Sequence, residues 1–318
     1  MVNAAIVNNW GAVPTYGTTD LPTASPSQVV VKVVASGVHT IVRSRALGKH
    51  FSVAGRSPPH IPGIDGVGTV NGTGQLVYFN ALTAATGSLA DEIVLERSNI
   101  FPLNEKADVN SVAAMVNPAL SSWMALTARA GIKKGDAVKI GIIGATGVSG
   151  NAAVQIAKAF GASEIVAVGK PGAGLDRAKE LGATATIALA ENVDETDFSA
   201  AADVDVVLDY LWGYVGKAAM TGITYKRKNR SQRLTWVQIG SLAGEDMGVS
   251  STILRKANVA VLGCGPGSWT FGELGQQLPG MLDTIVQEGL TTDFAVKELK
   301  DVESWWDEKG GKRVVVRP

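Results

Sequence analysis

The chain has 318 residues, 46% of them hydrophobic and 18% charged, and its 29 basic and 29 acidic side chains balance to a formal net charge of zero. That composition describes an ordered protein long enough for two lobes, and neutrality removes the electrostatic ground for a nucleic acid or an anionic membrane surface as partner. Cys264 is the only cysteine, which excludes a disulfide framework or a thiolate zinc cluster within one chain and makes a reducing compartment, the cytosol, the expected location.

The start, "MVNAAIVNNWGAVPTYG", lacks the basic flank and unbroken apolar run of a signal peptide, and no segment approaches membrane-spanning length. Up to about residue 115 the chain reads as short strands broken by Gly, Pro and Ser: "QVVVKVVASGV", "GVGTV", "QLVYF", "DEIVL". From Pro118 onward helical stretches alternate with the apolar runs "AVKIGII", "SEIVAVG", "VDVVLDY", "TWVQIGS" and "NVAVLGC". Strands alternating with helices predict an α/β fold with a doubly wound parallel sheet of the Rossmann type.

Between the strand ending at Ile143 and the helix starting at Val148 lie Gly144, Ala145, Thr146 and Gly147, with Gly150 just inside the helix. A glycine at a strand-to-helix turn lets backbone approach a diphosphate, and the helix amino end attracts its charge. The spacing is G-x-x-G-x-x-G, with Ala145 where a dinucleotide fingerprint usually has its second glycine. The plainer alternative is that these glycines only permit tight packing of strand on helix. The next strand, "EIVAVG", is expected to end at Val168 or Gly169, and Lys170 follows. Asp or Glu at that place would bond the 2′-hydroxyl of NAD; a glycine followed by a cation favours a 2′-phosphate, hence NADPH. Arg177 is a second candidate cation, and either side chain can equally be a solvated surface residue.

The turns after the later strands place Gly240 and Ser241 ("IGSLAG") and Gly263 and Cys264 ("LGCGPG") at carboxyl ends of strands, where such sheets bind ligands. The basic run "YKRKNRSQR" falls at the opposite edge and reads as a solvated loop. "ELGQQLPGMLDTIVQEG" predicts a helix on Leu278, Met281, Leu282 and Ile285 despite Pro279. The ending predicts a helix, a glycine stop and a strand able to rejoin the first lobe's sheet. Of Trp305 and Trp306, one is expected to pack inward and the other to cover a lobe or subunit boundary.

"GATGVSGNAAVQIAKAFGA", with "HIPGIDGVGTV", "GQLVYF", "NPALSSWMAL" and "DRAKELGA" in order along the chain, resembles the medium-chain dehydrogenase/reductase superfamily, in its zinc-free quinone oxidoreductase branch. The resemblance implies a β-rich, GroES-like substrate domain from residues 1–117 and 268–318, a Rossmann domain from 118–267, an active cleft at their junction, and a homodimer. It also carries roles over. Asn117, Ser121 and Ser122 in "NPALSSW" are implied as contacts to the nicotinamide ribose or ring, with helix capping or internal hydroxyl bonds as the alternative. Val148 joins the turn, and Leu211 and Trp212 in "LDYLWG" are implied to flank the cofactor. "VRSRALGKHF" resembles the loop bordering the substrate, with Arg43, Ser44, Arg45 and His50. Tyr78 and Ser44 are the candidate hydrogen-bond or proton donors to an acceptor carbonyl, and a structural role is implied for Asp65.

No cysteine stands in "ASGVHTIVRSRALGKH", and "PGIDG" puts Ile64 where zinc members place a histidine ligand. No metal site is therefore expected, and His39, His50 and His60 read as packing or surface residues. Without a metal to hold an alkoxide, the substrate must spread the incoming charge itself, as a quinone or an α,β-unsaturated carbonyl compound does. Two other readings remain open: a trans-acting enoyl reductase of a polyketide or fatty acid pathway, and a noncatalytic NADPH-binding sensor or structural protein.

Overall fold

The computed structural model describes residues 1–308 and 312–318, which form two compact units: 1–117 with 278–318, and 118–277. The expected boundary at 267/268 falls instead at Gln277/Leu278, because the helix that starts at Phe271 is continuous across Pro279 and its first turns cluster with the second unit.

In the first unit β1 (Val2–Ile6) pairs antiparallel with β2 (Thr15–Thr19). They are followed by β3 (Gln28–Val38), α1 (Thr40–Ala46), β4 (Asp65–Val70), β5 (Leu76–Asn80), β6 (Glu92–Glu96), β7 (Ile100–Pro102) and α2 (Val109–Met124), whose second half lies in the second unit. The period-two alternation of β3 sends Val29, Val31 and Val33 into one layer with Val70, Val77, Phe79, Ile93 and Leu95.

The second unit continues with β8 (Lys139–Ile143), α3 (Val148–Ala159), β9 (Glu164–Gly169), α4 (Ala173–Leu181), β10 (Ala185–Ala188), β11 (Val206–Asp209), α5 (Gly213–Lys226), β12 (Leu234–Gln238), α6 (Ser251–Lys256), β13 (Val259–Gly263) and the first part of α7 (Phe271–Gln287). Its six strands are all parallel, in the order β10-β9-β8-β11-β12-β13. The order reverses between β8 and β11, and in such sheets the crevice beyond the strand carboxyl ends at the reversal is where ligands bind. Val166, Val168, Val207, Leu234 and Trp236 of the sheet pack with Val215, Ala219 and Ile223 of α5 in one buried cluster.

The chain then returns to the first unit through β14 (Phe294–Glu298), α8 (Val302–Trp305) and β15 (Arg313–Arg317), and β15 pairs antiparallel with β3. Among the described residues no helix is long and apolar enough to cross a membrane.

Two local expectations need correction. Trp305 and Trp306 are both buried in one cluster with Val38, Val42, Leu299 and Val316. Their rings tilt against each other at 6.0 Å. In the basic run 225–233, Arg227 is no solvated loop residue: it is buried, and its guanidinium donates to the carbonyls of Ala202 and Val204. It caps carbonyls that would otherwise be buried without a donor.

Candidate functional site

The turn from β8 to α3 sits at the reversal of the sheet. Gly144 has φ +91°, a backbone that favours glycine, and its amide and that of Ala145 both donate to the Val168 carbonyl, tying the turn to the end of β9. A Cβ on Gly150 would lie 2.2 Å from the Gly144 carbonyl oxygen, so strand and helix pack too closely there for any side chain. Gly147 differs. It is exposed and extended, the nearest atom to a Cβ on it would be 3.8 Å away, and no side chain caps the helix it begins. Tight packing thus explains two of the three glycines. The third leaves open backbone at an uncapped helix amino end, which is the chemistry an anionic diphosphate needs.

Ala145 is fully buried, Val148 half-buried, and Thr146 faces the next loop. A Cβ on Gly169 would stand 2.5 Å from the Thr146 methyl carbon, and one on Gly174 2.8 Å from its Cβ. Thr146 therefore fills the space that a side chain at the end of β9 would occupy, and a carboxylate at position 169 has no room. Lys170 is exposed, with no partner among the described residues. Arg177 instead pairs with Glu180 on its own helix at 2.9 Å.

Across the reversal the loop after β11 touches the same turn: a Cβ on Gly144 would lie 3.1 Å from Leu211 Cγ. Asp209, which the sequence reading passed over, organises that loop. It has no exposure, its Oδ1 accepts the amides of Leu211 at 2.9 Å and Trp212 at 2.8 Å, and its Oδ2 accepts the Trp236 indole N–H at 3.0 Å. Burial pushes its pKa up against the pull of those three donors. Trp212 is held at φ +54°, rare for a residue with a Cβ. The second carboxylate of "VDVVLDY", at the carboxyl end of its apolar stretch, was the signal available.

Tyr210 points its hydroxyl to within 3.2 Å of Ser121 Oγ, and burial raises its pKa. Ser121 also donates to the Pro118 carbonyl, and the buried Ser122 donates to that of Ala119. Cys264 is buried, 3.7 Å from the Ser121 carbonyl, with its thiol pushed up to about 11 by burial, which disfavours the nucleophilic thiolate. Ser121, Tyr210 and Cys264 therefore form one group. Gly240 packs against the Tyr210 carbonyl, Ser241 and Gly263 are exposed, and Arg129 holds the Gly263 carbonyl at 2.9 Å. Asn117 is half-buried on α2.

The first unit places the remaining candidates. Asp65, buried at the start of β4, accepts the Tyr78 hydroxyl at 3.2 Å and faces His39 Nε2 at 3.0 Å. Burial first, and then the Asp65 charge, raise the Tyr78 phenol well above its ordinary range, so it keeps its proton. His39, expected to be a packing or surface residue, is a buried partner of this carboxylate. Ser44 is half-buried on α1 and its Oγ has no partner among the described residues. Arg43 donates to the Trp306 carbonyl and stacks over its ring, and His50 Nδ1 lies 2.8 Å from Ser52 Oγ. Among the described residues no group of three or more His, Cys, Asp or Glu side chains is placed to hold a metal ion.

With that geometry established, comparison with known proteins adds ancestry. Residues 149–277 match the family described as zinc-binding dehydrogenase. The chain is 29% identical to the probable NADPH-dependent quinone reductase tdiC of Emericella nidulans, over the whole of both chains. It is 32% identical to the quinone oxidoreductase of Sus scrofa over 150 residues, 44% of each. A solved mycobacterial quinone oxidoreductase superposes on all of it with a TM-score of 0.82 at 18% identity, a likeness of fold.

Proposed function

We propose that this oxidoreductase, which is similar to the medium-chain dehydrogenase/reductase superfamily in its quinone oxidoreductase branch, uses NADPH to deliver hydride to a quinone or an α,β-unsaturated carbonyl compound, without a metal. The observation that carries the reading is Gly147: open backbone at an uncapped helix amino end, at the reversal of a parallel sheet. When bound, NADPH supplies the hydride. The first amides of α3 hold the diphosphate, and Lys170 holds the 2′-phosphate where Thr146 leaves no room for a competing carboxylate. Asp209 fixes the loop carrying Leu211 and Trp212, so the cofactor's flank is set before binding.

On the acceptor side, Ser44 is the hydroxyl free to hydrogen-bond a carbonyl oxygen, whereas Tyr78 is already committed to Asp65 and acts by holding a proton there. A conjugated acceptor delocalises the added charge, so hydrogen bonds suffice in place of a metal. The proposal includes a homodimer, which light scattering on the purified chain tests, and places it in the cytosol.

Purified protein with NADPH is given a simple quinone, an enone or an aliphatic ketone, and nicotinamide absorbance is followed. Consumption with the quinone or the enone is expected; consumption with the ketone alone, or with none, overturns the reading. In the same assay Lys170→Glu is expected to raise the KM for NADPH at least tenfold more than that for NADH, through loss of a phosphate contact and added repulsion. Equal weakening of both removes Lys170 from the cofactor site.

A further inference from the structure

We propose that the first unit carries a carboxylate-binding site formed by the Nε and Nη2 edge of Arg45, with His60 beside it. The inference goes beyond the reductase reading and does not depend on it. Arg45, near the end of α1, has no exposed surface. Its Nη1 donates to Ser52 Oγ and to the Leu82 carbonyl, each at 2.9 Å. Its Nε and Nη2 are buried with no hydrogen-bond partner among the described residues. Those two N–H groups are the parallel pair along one side of the guanidinium, the edge that takes both oxygens of a carboxylate at once.

His60 supplies the second, independent sign. It is 5% exposed, and its Nε2 is likewise buried without a partner. Burial first, and then the charges of Arg45 and Arg56, hold its pKa down, so at neutral pH the ring is uncharged. Arg56 donates through Nη1 to the carbonyls of Ala84 and Ala85, and His50 Nδ1 is bonded to Ser52 Oγ.

No protein carboxylate answers this cluster. Residues 21–64 contain neither Asp nor Glu, and neither do residues 66–90. Asp65, the one acid in that span, is engaged by His39 and Tyr78. Backbone carbonyls satisfy donors but do not neutralise a cation, so a buried guanidinium with an idle bidentate edge is left to be matched by an anion from outside the chain. The planar Nε and Nη2 edge selects a carboxylate over a sphere such as chloride.

The test uses the full chain with neither nicotinamide nor acceptor, so its failure is separate from failure of the reductase reading. Formate, acetate, benzoate, inorganic phosphate and chloride are titrated by calorimetry at constant ionic strength. Saturable binding of at least one carboxylate, tenfold or more tighter than chloride or phosphate, is expected, with at least tenfold weakening in Arg45→Lys, which keeps the charge and loses the paired edge. Should that variant not fold, the Arg Nε–H signals of the nitrogen-15-labelled wild-type chain decide: one is expected to shift with the carboxylate's own saturation curve. No saturable carboxylate binding, equal binding of chloride or phosphate, binding undiminished in Arg45→Lys, or Nε–H signals that do not follow the titration overturns the proposal.

Discussion

Asp209 shows how much a single buried carboxylate constrains. Both its oxygens accept hydrogen bonds, so Asp209→Asn turns one acceptor into a donor facing the Trp236 indole N–H or the two backbone amides. An unsatisfied buried donor costs about 1–3 kcal/mol. Urea unfolding is expected to show that loss in the wild-type background and most of it absent in Trp236→Phe, where the opposing donor is gone. The same loss in both backgrounds means the indole bond is not what Asp209 serves. His60 contributes to the pH dependence of the first unit, as does His50, whose pKa burial and then Arg45 also lower. Burial, with Arg45 and Arg56, brings the His60 pKa from 6.5 down to about 4, while the Trp10 ring packs at 5.4 Å. The unfolded chain takes up this proton near pH 6.5 and the folded chain only near pH 4. Its contribution is therefore complete above about 6.5 and is lost as pH falls toward 4, an effect on the order of 3 kcal/mol. His60→Gln should flatten unfolding free energy against pH across that window, and an unchanged slope assigns the dependence elsewhere.

At the scale of elements, the β8–α3 turn separates what a glycine does for the fold from what it does for a ligand. Gly150→Ala puts a methyl 2.2 Å from the Gly144 carbonyl oxygen and is expected to cost roughly 1–3 kcal/mol. Gly147→Ala meets nothing closer than 3.8 Å, so unfolding should change by less than about 0.5 kcal/mol while the Kd for NADPH rises tenfold or more. Loss of stability in Gly147→Ala with binding intact would reverse the two roles. The same turn marks what was legible in the sequence. Apolar runs and helical spacing fix β8, α3, β9 and α7, because burial on a regular period leaves its pattern in one dimension. The threonine-rich β2 and the four-residue β10 carry no such pattern, since both lie at edges with little buried surface. The engagement of Asp209 with Trp236, of His39 with Asp65, and of Arg227 with the carbonyls of Ala202 and Val204 links residues far apart in sequence, so composition and spacing hold no trace of it.

At the scale of the molecule, the division into a continuous and a discontinuous unit has a consequence for folding. Residues 118–277 hold all six parallel strands, the buried cluster around Trp236, and every cofactor-side candidate except Asn117. Their two ends are joined by the Trp123 indole, which donates to Gln277 Oε1 at 3.1 Å. Residues 1–117 need β14 and β15 from the far end of the chain to complete their sheet, because β3 pairs with β15. The segment 118–277 is therefore expected to fold alone, with a cooperative urea transition, whereas 1–117 alone should not. NADPH at about one hundred times its Kd should stabilise the isolated segment by about 2.7 kcal/mol, since a ligand that binds only the folded state adds RT ln(1 + [L]/Kd). Turnover should be nil, because Ser44 and Tyr78 are left behind. If the segment folds but NADPH leaves its transition where it was, the glycine turn, Lys170 and the Asp209 loop do not by themselves make the cofactor site, and residues of the other unit must supply the grip.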